Sequence, residues 1–431
     1  MLGSLTFIEN QDIKDTSMLR TIYVYAGWLG NDPDHPLIGT YLIDREKSSA
    51  SFSYSNEWLL SHRIEIDPAL PLFEGRQYIQ FATGDTFGFL SDSSPDRWGR
   101  GLLLRNEQLQ AREERRRART LLPEDFLLGV SDYGRSGGLR FKTKPEGPFL
   151  SVHNDIPRIT ELRRLEYSIN RYEDARELLN DQWVKDLLSP GSSLGGARPK
   201  ANVIDTDGSL WIAKFPSQSD YMDIGAWEQV SYCLARRCGI NVPDSRVINS
   251  EGGHHIFLSK RFDRAGSRRI HFISAMTALQ EKDSTASASG KGFLDMAEFL
   301  AEQSLLPAED LEELFRRVVF TICISNTDCH FRNHAFLLRE NGYNLAPAYD
   351  LNPSIDKGEL AINITDSESA IDLSLVRETA GFYQLTDAQA NNIINDIRYN
   401  VARYWPAEAD KLRISAKEKE YMSPAFAEAS S

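Results

Sequence analysis

The sequence predicts an α+β protein in which strand-rich sections come first and a mainly helical section follows. Three observations predict it: apolar–polar alternation from Thr21 to Tyr54, two short strand patterns at 201–203 and 210–215 just ahead of an amphipathic helix, and a continuous apolar helical face at 311–322. With 431 residues the chain exceeds one ordinary core, so two or three packed domains are expected.

Taken in order, Ile22, Val24 and Leu29 with Ile38, Thr40 and Leu42 make a hairpin whose turn is marked by Gly30-Asn-Asp-Pro-Asp34. Phe52 and Tyr54 continue a third strand ahead of Trp58 and Leu59. Residues 96–119 then read as one helix. Its basic run, Arg112 to Arg117, carries mixed signs at helical spacing and so reads as a solvated face with i,i+4 pairs rather than a nucleic-acid patch. A linker by composition spans 142–148, and a domain boundary is placed there. A Gly/Ser loop follows at 191–197, then the two strands, then a helix over 224–238 closed by Gly239, a residue suited to the left-handed C′ position. A strand over 255–259 comes next. Leu311, Leu314, Phe315, Val318, Val319 and Ile322 share one face of a buried helix. The Ala/Ser-rich last few residues are expected to fray.

Composition narrows the function classes. Hydrophobic residues at 41% and charged residues at 26% exclude wholesale disorder. A net charge of −13 argues against nucleic acid as a direct, surface-wide partner, because phosphate binding needs clustered Lys and Arg. The four cysteines, Cys233, Cys238, Cys323 and Cys329, have no C-x-x-C spacing and read as free, mostly buried thiols. With no signal peptide in the first twenty residues and no run of 18 apolar residues, a cytoplasmic protein without membrane contact is expected.

The sharpest chemical signal is Ser325-Asn-Thr-Asp-Cys-His-Phe-Arg-Asn-His334, directly after the apolar helix. Asp328 and Asn333 stand in the spacing D-x-x-x-x-N. Phosphoryl transfer needs a carboxylate to accept or orient the hydroxyl proton and an oxygen ligand near the metal, and one loop here offers both. Asp350, 22 residues on, follows a strand-like segment and offers the second carboxylate that Mg²⁺ requires. Upstream, Lys214 lies on a half-buried strand and needs an anionic partner, for which Glu228 in the next helix is the natural candidate. The loop Gly191-Ser-Ser-Leu-Gly-Gly-Ala-Arg-Pro-Lys200 lacks Walker spacing. It still offers Gly195 and Gly196 for close backbone approach to phosphates, with Arg198 and Lys200 beside them.

These residues, in this order, resemble the HipA family of bacterial toxin–antitoxin kinases, over about residues 20 to 400. The matching segments are Phe52-Ser-Tyr-Ser-Asn-Glu-Trp58, Asp67-Pro-Ala-Leu-Pro-Leu72 and Phe89-Leu-Ser-Asp-Ser-Ser-Pro-Asp-Arg-Trp98 in the first part. In the rest they are Ser193-Leu-Gly-Gly-Ala-Arg-Pro-Lys200, Val242-Pro243, Arg261-Phe-Asp-Arg264, Asn326-Thr-Asp-Cys-His-Phe-Arg-Asn333 and Ala346-Pro-Ala-Tyr-Asp350. The resemblance implies a bilobal core like that of protein and phosphatidylinositol kinases with an additional small N-terminal α/β domain. The expected division is a flexible leader (1–20), the N-terminal domain (21–145), a lobe with phosphate loop and adenine hinge (146–264) and a helical lobe with catalytic loop and metal-binding Asp (265–431).

The same resemblance implies site roles. Gly195, Gly196, Ala197, Lys200, Lys214 and Glu228 would form the ATP phosphate site, and Lys260 to Phe262 the adenine hinge through backbone groups. Asp328 would be the catalytic carboxylate, with His330 near the nucleotide, and Asn333 and Asp350 would hold Mg²⁺. Ser193, or its neighbour Ser192, would be autophosphorylated, adding about two negative charges to a loop that must cradle phosphates. The implied activity is an ATP- and Mg²⁺-dependent serine/threonine kinase toxin acting on a cytosolic protein, an aminoacyl-tRNA synthetase being one candidate. No helix-turn-helix is evident, so DNA would be met only through a separate HipB-like antitoxin. Two alternatives stay open: a catalytically idle, kinase-shaped scaffold that binds an antitoxin, and a small-molecule kinase.

Overall fold

The computed structural model describes residues 18–80, 86–150, 156–173, 182–191, 198–281, 290–340, 342–355 and 358–430. The alternating start of the chain forms β1 (Leu19–Ala26), β2 (Leu37–Asp44) and β3 (Ser49–Tyr54), with β4 (Gln77–Gln80) and β5 (Leu139–Lys142) completing an antiparallel sheet of order β4-β3-β2-β1-β5. Ile22, Val24, Ile38, Phe52 and Phe141 are fully buried on one face, against Trp58 and Phe89. The first strand begins inside the expected leader, because Leu19 already pairs with Asp44. The expected linker begins on the last residue of β5, whose return to β1 closes the sheet.

The Arg97–Glu113 helix is shorter than expected, and the basic run does not form a solvated helical face. Arg115 takes a left-handed φ of 52°, which turns the chain back on the helix. Arg116 and Arg119 then reach back to Glu107, a carboxylate only 4% exposed that the segment after the helix neutralises.

A second antiparallel sheet, order β6-β7-β9-β8, contains β6 (Lys200–Ile204), β7 (Leu210–Lys214), β8 (Ser245–Asn249) and β9 (His255–Lys260). The Ile224–Arg237 helix packs on it, capped by the Asp223 carboxylate at the Ala226 amide and followed by Gly239 at φ 73°. A small hairpin, β10 (Arg264–Ala265) and β11 (Arg268–Arg269), leads into the helical part. There the Phe293–Gln303 and Pro307–Cys323 helices pack against a three-stranded sheet of β12 (Phe272–Ser274), β13 (Ala335–Leu338) and β14 (Tyr343–Leu345), and the Asp387–Lys411 helix packs on the Pro307–Cys323 and Ile224–Arg237 helices. All four cysteines are free, and three of them are buried.

The N-terminal sheet joins the helical part in one apolar cluster that runs from Ile22 to Ala429. Trp28 stacks on His271 at 4.6 Å, and the Asp92 carboxylate accepts from the amide and hydroxyl of Ser274. A second cluster puts Trp98 and Leu102 of the Arg97–Glu113 helix against Ala201, Val203 and Ala213 of the second sheet. The Arg261-Phe-Asp-Arg264 segment bolts the junction. Arg261 donates to Asn202 Oδ1, the Gly134 and Arg135 carbonyls and Asp263, while Asp263 also accepts from Gly137 N and Arg264.

At the far end, expected fraying is replaced by packing. Phe426 stacks on Trp405 at 4.7 Å, and Ala429 is 5% exposed. Glu418 accepts from the Trp227 indole at 2.8 Å and from Asp223 N at 2.9 Å, so this segment braces the start of the Ile224–Arg237 helix. Ala425 and Ala429 are buried with Phe426 in the main apolar cluster, and this burial outweighs their poor local signal.

Burial disfavours the ionised Asp263, but Arg261 and Arg264 hold its carboxyl far below the usual carboxylate range. A depressed folded value contributes stability above the unfolded one, about 3.9, and loses it as pH falls through the folded value. Asp263→Asn leaves two guanidiniums facing each other in a closed site. It is expected to cost about 3–5 kcal/mol in urea unfolding at neutral pH, with the deficit shrinking in acid.

Candidate active site

Lys214, the last residue of β7, is 16% exposed at its side chain and lies between two carboxylates. Its Nζ is 2.6 Å from Glu228 Oε1 on the neighbouring helix and 2.5 Å from Asp350 Oδ1. The helix is placed for this by its Asp223 cap and by Gly225, where any Cβ would strike the His255 carbonyl. Burial opposes the charge on Lys214, but Asp350 and Glu228 more than offset it, and the lysine is held well above its ordinary range. Burial likewise opposes the ionised Asp350, yet Lys214 and Lys200 pull it far below the usual carboxylate range. For Glu228, 2% exposed, burial wins over the lysine and pushes the carboxyl up to about 7. Lys200 faces Lys214 directly across β6–β7, and burial together with that like charge brings it down to about 8.

The loop after the Pro307–Cys323 helix is pinned at several points. Ser325 takes a left-handed φ of 49°, which turns the chain out of the helix. Asn326 N donates to the Thr321 carbonyl at 2.9 Å, and Asn333 Nδ2 donates to the Asp328 carbonyl at 3.0 Å. This last bond explains the five-residue spacing: Asn333 fixes the backbone that carries Asp328 and leaves its own Oδ1 as an acceptor. The Asp328 side chain is exposed, His330 is half-buried, and Asn333 is buried. The Cys329 thiol is pushed up mainly by burial, and the Asp328 and Asp350 charges add to the shift, so the loop lies within electrostatic reach of Asp350.

Asp350 also has a left-handed φ, 59°, a conformation that a non-glycine residue holds only when its surroundings impose it. The neighbouring Tyr349 hydroxyl donates to the Arg332 carbonyl at 2.7 Å, and Ala348 N donates to the Asn241 carbonyl at 2.8 Å. Asn352 donates to Asp350 Oδ1 at 3.0 Å, and its own buried Oδ1 has no partner among the described residues. An Asp350 side chain 32% exposed, the Asn333 Oδ1 and this orphaned amide oxygen are the hard oxygen donors that Mg²⁺ takes. No group of three or more His, Cys, Asp or Glu that could hold a metal occurs among the described residues.

Of the expected site residues, Lys214, Glu228 and Asp350 are in direct contact with Lys200 paired beside them, while Asp328, His330 and Asn333 share the loop within electrostatic reach of Asp350. Ser192, Ser193, Gly195, Gly196 and Ala197 lie outside the described residues. At the expected hinge, the Lys260 amide donates to the Asp244 carbonyl and the Arg261 amide to Leu210, while the Phe262 ring lies 5.4 Å from Tyr349. Sequence reasoning missed Trp98, whose indole donates to the Lys200 carbonyl at 2.8 Å across 102 positions, as well as Tyr349, Asn352 and Glu418. Only the Asp-Arg-Trp98 match could have flagged the first of these.

Comparison with known proteins agrees with this geometry. Residues 192–405 match the HipA-like C-terminal domain family. The serine/threonine-protein kinase toxin HipA of Shewanella oneidensis is 25% identical over 224 residues, 44% of this chain and 50% of the toxin. A chain of the solved complex of HipA, HipB and operator DNA from the same organism covers 95% of both chains with a TM-score of 0.63, at 18% identity, a likeness of fold. The chain belongs to the HipA family. Another relative of this HipA-family chain, a Haemophilus influenzae protein named provisionally as a kinase, is 24% identical over 186 residues, 39% of this chain and 54% of that protein. The chain spans about half the length of the curated relatives it matches.

The cluster makes a pH-dependent prediction. Without Lys214, ionising Glu228 beside Asp350 costs more, so the already raised Glu228 value rises further, and a raised carboxyl loses stability as pH increases through it. Lys214→Met is expected to be destabilised by about 3 kcal/mol at about pH 8 and by less near pH 6. Adding Glu228→Gln should recover most of the loss, measured by thermal unfolding across that range.

Proposed function

We propose that this HipA-family protein is an ATP- and Mg²⁺-dependent serine/threonine-protein kinase, the toxin of a toxin–antitoxin pair. The observation that carries the reading is Lys214 gripped by Glu228 from the next helix and by Asp350. A strand lysine paired with a helix glutamate orients nucleotide phosphates in kinases, and an acidic residue in the position of Asp350 serves the metal. Bound Mg²⁺ would supply charge neutralisation on the transferred phosphoryl group, held by Asp350 and Asn333. Lys214 would turn from Asp350 toward the phosphates while keeping Glu228, and Lys200 would add a second positive charge beside it. Asp328, exposed at the loop's tip, would accept or orient the proton of the incoming hydroxyl.

The remaining parts of the reading follow from the family. Ser193 or Ser192 would be the site of autophosphorylation, and the added charge would repel ATP from the loop. Lys260 to Phe262 would take the adenine through backbone groups. The target would be a cytosolic protein, with an aminoacyl-tRNA synthetase as one candidate, and a HipB-like antitoxin would be the partner through which DNA is met. Among the described residues no helix is long and apolar enough to cross a membrane.

Incubation of the purified chain with Mg²⁺ and labelled ATP tests this, with Asp328→Asn alongside and mass spectrometry of the 185–205 region. Label on Ser193 or Ser192 is expected, reduced by about 10²–10⁴-fold in the variant with ATP affinity kept. Failure of the unmodified chain to bind ATP would sink the reading. ATP binding without transfer by unphosphorylated protein would favour the scaffold instead.

A further inference from the structure

A cavity of about 460 Å³ lies between the start of the Arg97–Glu113 helix and the catalytic-type loop, lined by Asp96, Arg97, Arg100, Gly101, Leu104 and Arg332. Its two walls are fastened to the phosphate-handling residues. On one side, Trp98 donates to the Lys200 carbonyl. On the other, the Arg332 carbonyl accepts from Tyr349, the residue before Asp350, and Arg332 itself lies between Asp328 and Asn333 in sequence. Yet Lys200, Lys214 and Asp350 do not line the cavity, so a group held there lies beside the triphosphate grip rather than within it.

The chemistry of the lining is specific. Arg97 and Arg100 are exposed, and neither has a carboxylate partner among the described residues. Arg100 is nevertheless steadied by the Pro95 carbonyl at 3.0 Å and by the Phe126 ring at 5.0 Å. Asp96 is turned to its own helix, accepting from the Arg97 amide. Two neighbouring exposed guanidiniums, one of them steadied, form a local positive surface on a chain of net charge −13, while Arg332 on the opposite wall is close enough to act on the Asp92 carboxylate. Planar guanidinium forks match carboxylates bidentately, and the cavity's far wall, Arg332, belongs to the same loop as Asp328.

We propose that this cavity is the docking subsite for the acceptor segment of the protein substrate, and that Arg97 and Arg100 select an acidic side chain close to the hydroxyl to be phosphorylated. This rests on the kinase reading and makes the N-terminal part of the chain a wall of the acceptor site. The test uses the full chain and two fluorescein-labelled peptides, a serine flanked by glutamates and the same serine flanked by glutamines. Fluorescence anisotropy at low salt is read without nucleotide, and ATP affinity is measured separately by calorimetry.

The wild-type chain is expected to bind the glutamate peptide at least about tenfold more tightly. Arg97→Glu with Arg100→Glu should erase that difference while ATP affinity stays within about twofold. Arg97→Gln with Arg100→Gln, a milder pair, gives the same readout if the charge reversal fails to fold. Equal binding of both peptides by the wild type, or a preference that survives both pairs of substitutions, overturns the proposal. Loss of ATP binding by the wild type would strike the kinase reading instead, since peptide preference is read independently of it.

Discussion

A lysine held almost out of water between two carboxylates is the constraint to which the surroundings of this site are fitted. Lys214 cannot keep its charge there unless both acids arrive, and they come from different places: Glu228 from a helix on the same sheet, Asp350 from a segment 136 positions on. Unpaired burial of one such charge would cost several kcal/mol, a sizeable share of a domain's whole stability. Sheet, helix and the 346–352 segment are therefore coupled energetically, and the left-handed Asp350 is tolerated because the lysine and Asn352 both hold its carboxylate.

The same logic explains why the N-terminal sheet is not a loose appendage. The Arg261-Phe-Asp-Arg264 motif combines two roles. Phe262 packs on Tyr349 next to Asp350, while the charged residues on either side knit the 134–137 turn to β6 through Asn202. A motif that resemblance ties to nucleotide binding thus also stabilises the joint between the two sections. Trp98 repeats the theme, linking an N-terminal helix to the backbone of Lys200.

Much of this was legible in the sequence wherever the signal was local. Alternation gave β1 to β3, the apolar stripe gave the Pro307–Cys323 helix, and Gly239 marked a helix end. The Lys214–Glu228 pair followed from the cost of burying an unpaired charge, and D-x-x-x-x-N from the chemistry it can support. What stayed hidden depended on distant partners. The edge strand β8 has no buried residue, only half-buried and exposed ones, and shows no clean alternation. The basic run is solvated as expected at all but Arg116, but it leaves the helix early, and the acid that captures Arg116, Glu107, looks in sequence like any other helix-face glutamate. Trp98, Tyr349 and Glu418 act through backbone atoms or indole N–H groups far along the chain, and no spacing rule encodes such contacts.

The brace from Glu418 has a consequence for how the protein is made. Trp227 and Asp223 wait for a partner 191 and 195 positions later. Domains generally begin folding from the N-terminal side during synthesis, so the strand that carries Lys214 and the helix that carries Glu228 emerge long before the residue that steadies that helix. A half-made chain has the sheet without its final support. The geometry around Lys214 is thus completed only after the polypeptide has passed Glu418.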